Sequence, residues 1–376
     1  MKKIAYLCTM MLLSVNMMAQ IDFDDGNWDL VFYDEFNSNN WDTWANWKIS
    51  CPSPVYHYRS YYNDGEFGVT HGTWEHQVYQ RENCQLNNGN LQFVSVYEGG
   101  NNQQPLSCEN YCLPPNKICD TTHHTLFYTS GMIETTTSFL YGYFEIYCSL
   151  PIHLGSFPAF WLYSSGANYY NELDIFEYPN GSSFIEDEDK QYTCGLACDN
   201  SHGAPNPLSL ISYGNAYPVL PNPSSDLSHF HKFSCEWMPD HVTWYCDGHV
   251  MNEFEDYEHI PHHPMKLIAN YAINDYVLNG LDQPLWFDGD DMVIDYIKVY
   301  QLKTDCNTDV VISTLQDFVN YQPSVKRTIS IAPSSSFAAP SNTNLNLRAE
   351  ESITIESGFT IPLGAQMSFQ TQICPE

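Results

Sequence analysis

HVTWYCDGHV, residues 241–250, sets the pattern of this chain: a short β-type run closed by Asp247-Gly248, a dipeptide suited to the positive-φ positions of a tight hairpin. Similar short runs separated by turn residues recur in WDLVFYDEF (28–36), GNLQFVSVYE (89–98), YGYFEIYCSL (141–150) and DMVIDYIKVY (291–300), and Asn88-Gly89 is a second hairpin signal. No long stretch carries the 3.6-residue period of an amphipathic helix. Roughly 280 residues of such runs exceed one small barrel and predict an all-β fold, a double-sheet jelly-roll β-sandwich.

After Leu302 the composition shifts toward Ser, Thr, Asn and Pro, and aromatic residues thin out. LRAEESITIESGFTIPLGAQMSF (347–369) alternates apolar and polar residues, with Gly358 and Gly364 as turns. Cys306 and Cys374 bracket this unit and are placed to staple it. The chain therefore divides into residues 1–19, a main domain over 20–302, and a small C-terminal β domain over 303–376. The last carries no acid pair or aromatic platform, so a structural appendage outranks tethering, sorting or weak binding.

MKKIAYLCTMMLLSVNMMAQ places Lys2 and Lys3 ahead of an apolar run and a small residue, Ala19, at a cleavage position. It reads as a secretory signal, with the mature chain starting near Gln20, and not as a membrane span. Of the 13 cysteines, Cys8 goes with the signal and leaves an even 12, so disulfides are the default in an oxidising compartment. Cys108, Cys112 and Cys119 share one loop and Cys194 and Cys198 lie close together, with no CxxC pair to suggest zinc. The formal charge of −31, less the two cleaved lysines, leaves −33. That field excludes nucleic acid and disfavours densely sulfated or uronic polymers unless a local basic site compensates. An aromatic content of 15%, rich in Tyr and Trp, suits a binder of neutral or lightly charged sugars.

Residues 172–177, ELDIFE, concentrate three carboxylates in one strand-like stretch. Alternation puts Glu172 and Asp174 on one face and Glu177 on the other. One β-bulge between Asp174 and Glu177 brings all three to the same side, while Leu173, Ile175 and Phe176 face a core. Adjacent carboxylates raise one another's pKa, which lets an acid and a nucleophile coexist at one pH. A retaining glycosidase needs such a pair, with carboxyl groups about 5 Å apart. Across a bulge the Cα atoms of Glu172 and Glu177 lie roughly 13 Å apart, a gap that two long Glu side chains leaning together can close. Glu172 is assigned as nucleophile, Asp174 as its helper and Glu177 as acid/base; the rival readings are a solvated acidic strand or a calcium site.

ELDIFE resembles the bulged ExDxxE signature of glycoside hydrolase family 16, which includes laminarinases, lichenases, agarases, porphyranases and carrageenases. The resemblance runs over most of residues 28–302, through WDLVFYDEF, ENCQLNNGNLQF, YTSGMIETTTSFLYGYFEI, FPAFWLY, FHKFSCEWMPDHVTWYCDG and DYIKVYQ. It implies a jelly roll with a concave glycan cleft, endo-action on β-linked polysaccharide, retention of configuration and no cofactor for the chemistry. It also implies that Trp161 floors the cleft, that Tyr178 lines a subsite, and that Asp295 with the carbonyls of Glu35 and Gly89 holds a structural calcium.

Three departures bear on substrate: ANYYNE leads into the first acid where laminarinases have WPxxGE, Met132 replaces an arginine, and YTCGLACDNSH offers only His202 where a histidine is common. They tilt the reading away from laminarin, and the charge tilts it away from heavily sulfated carrageenan. The expected protein is a secreted, periplasmic or surface monomer acting on polysaccharide, with a transglycosylase or a non-catalytic carbohydrate-binding protein as alternatives.

Overall fold

The computed structural model describes residues 21, 23–37, 45–49, 77–79, 81–97, 128–166, 169–183, 185–187, 189–199, 210–273, 290–331 and 336–374. Residues 1–19, expected as a signal, and Cys108, Cys112, Cys119 and His202 lie outside these residues. In the main domain the strands are β1 (Trp28–Asp34), β2 (Trp47–Ile49), β3 (Gln77–Tyr79), β4 (Cys84–Asn87), β5 (Asn90–Phe93), β6 (Val96–Tyr97), β7 (Tyr128–Ser130), β8 (Met132–Phe139), β9 (Gly142–Ser149), β10 (Ser156–Gly166), β11 (Tyr169–Glu177), β12 (Thr193–Asp199), β13 (Leu210–Ala216), β14 (His231–Trp237), β15 (Val242–Cys246), β16 (His249–Phe254), β17 (Met265–Ile273) and β18 (Met292–Leu302). One antiparallel sheet runs β16-β15-β14-β9-β18-β5-β4, with β1 also on β18, and the other runs β13-β12-β11-β10-β17-β8-β2. They face each other as a jelly-roll β-sandwich, as expected.

Alternation along each strand sends one set of side chains inward. Phe144, Ile146 and Phe233 from the first sheet meet Phe160, Leu173 and Phe176 from the second, each at most 1% exposed. The Phe176 and Phe233 rings lie 4.6 Å apart and tie the two sheets across the core. Each such side chain contributes about 1.5–3 kcal/mol by leaving water. Both hairpin dipeptides turn as expected, with φ of +52° and +81° at Asn88-Gly89 and +49° and +79° at Asp247-Gly248, the pattern of a type I′ turn. Asp247 also accepts from the Lys232 amide at 2.9 Å and pairs with His231 Nδ1 at 2.7 Å, locking the hairpin to β14.

The default reading of the cysteines needs correction. Cys84, Cys148, Cys194, Cys235 and Cys246 are free, buried thiols. They point inward from strands whose positions are set by hydrogen-bond ladders, and they serve the core as compact apolar side chains. An even count in an exported chain carries no information about which positions approach one another.

The C-terminal unit comprises β19 (Thr304–Ile312), β20 (Val325–Ile331), β21 (Phe337–Ala338), β22 (Asn344–Ile355), β23 (Phe359–Thr360) and β24 (Gln366–Thr371), plus the short helix α1 (Leu315–Val319). Every pairing among these strands is parallel. Ile353 lies against Ile329, Phe359 against Phe337 and Met367 against Leu345, so the chain winds as a short β-solenoid that stacks like residues on like. Ile312, Ile329, Ile331, Leu347 and Ala349 fill its interior. Gly358 and Gly364, at φ of +122° and +91°, make two of its corners.

No linker separates the units, since β18 ends at Leu302 and β19 begins at Thr304. The seam is polar and aromatic. Asn27 Nδ2 donates to the Asn346 carbonyl at 2.5 Å, Lys303 Nζ to the Gly26 carbonyl at 2.9 Å, and the buried Arg348 guanidinium lies 5.4 Å from the Trp28 ring. Cys306 and Cys374, 68 residues apart, form a disulfide that closes the solenoid on itself. The double variant Cys306→Ser/Cys374→Ser is expected to lose up to about 4 kcal/mol of unfolding free energy, the chain-entropy value for a loop of that length. Urea denaturation of the C-terminal transition measures this.

Candidate active site

β11 is an interior strand of its sheet, flanked by β10 and β12. On the β12 side Asp174 opposes Gly195 and Glu177 opposes Thr193, so Ile175 and Phe176 together face the single residue between them, Cys194. The ladder to β10 shifts at the same place, with Trp161 opposite Asp174 and Phe160 opposite Phe176. This is a β-bulge of one extra residue. Ile175 and Phe176 are consecutive yet both buried in the core, at 2% and 0% exposure, which plain alternation forbids. Beyond them Glu177 returns to the face of Glu172 and Asp174. Asp174 is 9% exposed, and the two glutamates are partly exposed.

The bulge is held from across the sandwich. Trp244 of β15, 1% exposed, donates its indole N–H to the main-chain carbonyl of Asp174 at 2.8 Å. A carbonyl at a ladder irregularity in a dry core is costly without a partner, and the opposite sheet supplies one.

Cross-strand neighbours share a face, so the ladders define what surrounds the acids. Glu172 lies beside Tyr163 and Ala197, Asp174 beside Trp161 and Gly195, and Glu177 beside Ala159 and Thr193. Trp161, expected in the cleft floor, therefore stands next to Asp174. Its Nε1 donates to Asn270 Oδ1 at 2.7 Å, and its ring packs edge-on to Tyr163 with centroids 5.9 Å apart. Asn270 in turn donates to the Tyr79 hydroxyl at 3.0 Å. Sequence reasoning missed this Asn270–Tyr79 brace, because the partners are 191 positions apart. It also missed Asn215, whose Oδ1 occupies the space above Gly195 that a Cβ would enter. Met132 is buried against Tyr79, Tyr163 and Ile268, with no charged group to offer a ligand.

The subsite expectation for Tyr178 is corrected. The residue is fully buried among the core side chains, because the position after Glu177 falls on the inner face. Its amide is fixed to the Pro158 carbonyl at 3.0 Å.

The three residues expected at a cation site belong to the strands and turns of the other sheet. β18 passes from pairing with β1, where Ile297 meets Asp34, to pairing with β5, where Ile294 meets Leu91, and Asp295 falls at that handover. Glu35 lies just past β1, and Gly89 lies in the β4–β5 turn with Asn37 Oδ1 3.0 Å from its Cβ direction. The donors available there are oxygens, the chemistry of a hard cation.

The sequence profile of glycosyl hydrolases family 16 matches residues 71–296. The endo-1,3-1,4-beta-glycanase ExsH of Rhizobium meliloti (strain 1021) is 28% identical over 248 residues, 63% of this chain and 49% of that protein. The endo-1,3-1,4-beta-glycanase EglC of the same organism is 31% identical over 180 residues, 47% of this chain and 34% of that protein. The chain thus spans half the length, or less, of these curated relatives. The crystal structure of an endo-beta-1,3-glucanase from Pyrococcus furiosus shares the fold with a TM-score of 0.51 at 22% identity, over 76% of this chain and 99% of that one.

Removing the indole donor isolates the contribution of the bulge contact. Trp244→Phe leaves the Asp174 carbonyl buried without that N–H and is expected to cost about 1–3 kcal/mol of unfolding free energy, read from the shift in urea midpoint. An unchanged midpoint would show that the bulge stands without Trp244.

Proposed function

The chain belongs to glycosyl hydrolases family 16, and from that premise we propose that it is a secreted, retaining endo-glycosidase acting on β-linked polysaccharide, either β-glucan or galactan. The observation that carries the reading is the bulge between Asp174 and Glu177, which turns two glutamates toward one sugar-binding face. Glu172 attacks the anomeric carbon as the bond to the leaving oxygen breaks, forming a glycosyl ester, while Glu177 gives its proton to that oxygen. Glu177 then takes a proton from water, the water attacks the same carbon, and Glu172 leaves as a carboxylate. Two inversions give retention. Asp174, between them on the same face, orients Glu172. Trp161 offers the apolar floor on which a pyranose ring stacks, and its bond to Asn270 keeps that ring from turning.

Export is supported by the amino-terminal signal-like segment. Among the described residues no helix is long and apolar enough to cross a membrane. A structural calcium held by Asp295 and the carbonyls of Glu35 and Gly89 would bind β1, the β4–β5 turn and β18 together on the sheet opposite the acids.

Two measurements test these proposals. Glu172→Gln removes the nucleophile while keeping its shape. It is expected to lower reducing-end release from the preferred polymer by about 10³-fold or more while retaining binding; normal cleavage by that variant refutes the assignment. Chelation with EGTA is expected to lower the melting temperature of the wild type by about 2–4 °C per kcal/mol of binding free energy lost. Asp295→Asn should melt at the chelated value with or without EGTA.

A further inference from the structure

Two of the chain's few basic residues stand on the same sheet face as the acids. Trp161, which opposes Asp174, also opposes Ile268; Ile268 opposes Glu134, and Glu134 opposes Lys48. One row across the sheet therefore reads Asp174, Trp161, Ile268, Glu134, Lys48. In the next row Glu172 opposes Tyr163 and Tyr163 opposes Lys266. With strands about 4.8 Å apart, Lys266 starts about 10 Å from Glu172 and Lys48 about 19 Å from Asp174.

These groups are electrostatically joined. The Glu134 side chain is 5% exposed, and Lys48 Nζ reaches it at 3.3 Å from a side chain that is 52% exposed. Burial pushes the Glu134 carboxyl up, against the charges of Lys48 and Lys266. Burial and the charge of Lys48 push the Lys266 ammonium down, against the charge of Glu134. Lys266 Nζ also donates to the Thr136 carbonyl. Lys48 forms the ion pair with Glu134, while Lys266 feels the charge of the same carboxylate without a salt bridge to it. Lys266 thus brings a second positive charge to a sheet face that also carries the three acids, in a chain whose net charge is −31. A cation outside a salt bridge and beside an existing ion pair is a favourable place for an anion.

We propose that Lys48, Lys266 and Glu134 form a subsite for one anionic substituent, a sulfate ester or a carboxylate, carried by the polysaccharide a few sugar units from the cleaved bond. This inference rests on the glycosidase reading above. Glu134 holds the Lys48 ammonium and the Thr136 carbonyl that of Lys266, which fixes both cations on one face of the sheet. The surrounding negative field rejects densely charged polymers and leaves room for one with isolated charges. The substrate class that follows is a lightly substituted anionic β-glycan.

The test compares polymer pairs that differ only in charge: a sulfated galactan before and after desulfation, and a β-glucan before and after oxidation of its primary alcohols to uronate. Wild-type enzyme is expected to show a higher kcat/KM on the charged member of one pair, and that pair identifies the group. Lys266→Met, and Lys48→Met/Glu134→Gln, which leaves no orphaned carboxylate, should each lower that charged-to-neutral ratio by about tenfold. Glu134→Gln alone should raise it, since both lysines then face the ligand unopposed. Affinity electrophoresis of the Glu172→Gln protein in gels containing each polymer reads the same preference without turnover. Equal action on both members of both pairs overturns the subsite and leaves the glycosidase reading standing. Selective retardation by a charged polymer with no cleavage of any polymer does the reverse.

Discussion

A single extra residue in β11 is the constraint on which the face that carries the three acids depends. A strand can bury a side chain or present it, by turns, and Glu177 would face the core if the count from Glu172 ran without interruption. Opposing Ile175 and Phe176 to one residue of β12 shifts that count and buries both hydrophobic side chains together. The irregular backbone this creates lies in a dry core. Its carbonyl at Asp174 is met by Trp244 from the opposite sheet, so the arrangement of the acids depends on the sandwich having closed. Local strain and global packing are here one interaction.

The same logic governs charge. A chain with 45 acidic and 14 basic side chains has few cations to distribute, and where they fall is informative. Several neutralise acids at the seam and in the solenoid, as Lys326 does with Asp305 and Lys303 with Asp29. Lys48 instead pairs with the buried Glu134, whose charge also acts on Lys266, on the sheet that carries the proposed cleft. Acids that cut and cations that select would then share a sheet, with Trp161, Tyr163 and Ile268 between them.

The C-terminal unit solves its stability problem in another way. A parallel coil of so few turns has little core per residue and two open ends. Its interior ladder of Ile, Leu and Phe is reinforced by a long-range disulfide, while one flank is docked on the residues that lead into β1. Arg348 over Trp28 and Pro323 against Gly26 make that junction a packed interface in place of a hinge.

What the amino-acid order settled alone was local. Asn88-Gly89 and Asp247-Gly248 demanded positive φ, short alternating runs demanded strands, and the broken alternation of ELDIFE demanded a bulge; each is a relation between residues a few positions apart. The Cys306–Cys374 pairing was legible because the two residues bracket one unit. Tertiary structure decided the rest: that Tyr178 and five cysteines face inward, that the last strands run parallel, that Asn270 joins Trp161 to Tyr79, and that Lys48 meets Glu134. Those facts concern which strands become neighbours, and neighbours are chosen by burying the whole apolar surface at once, a quantity that no single stretch of the chain contains.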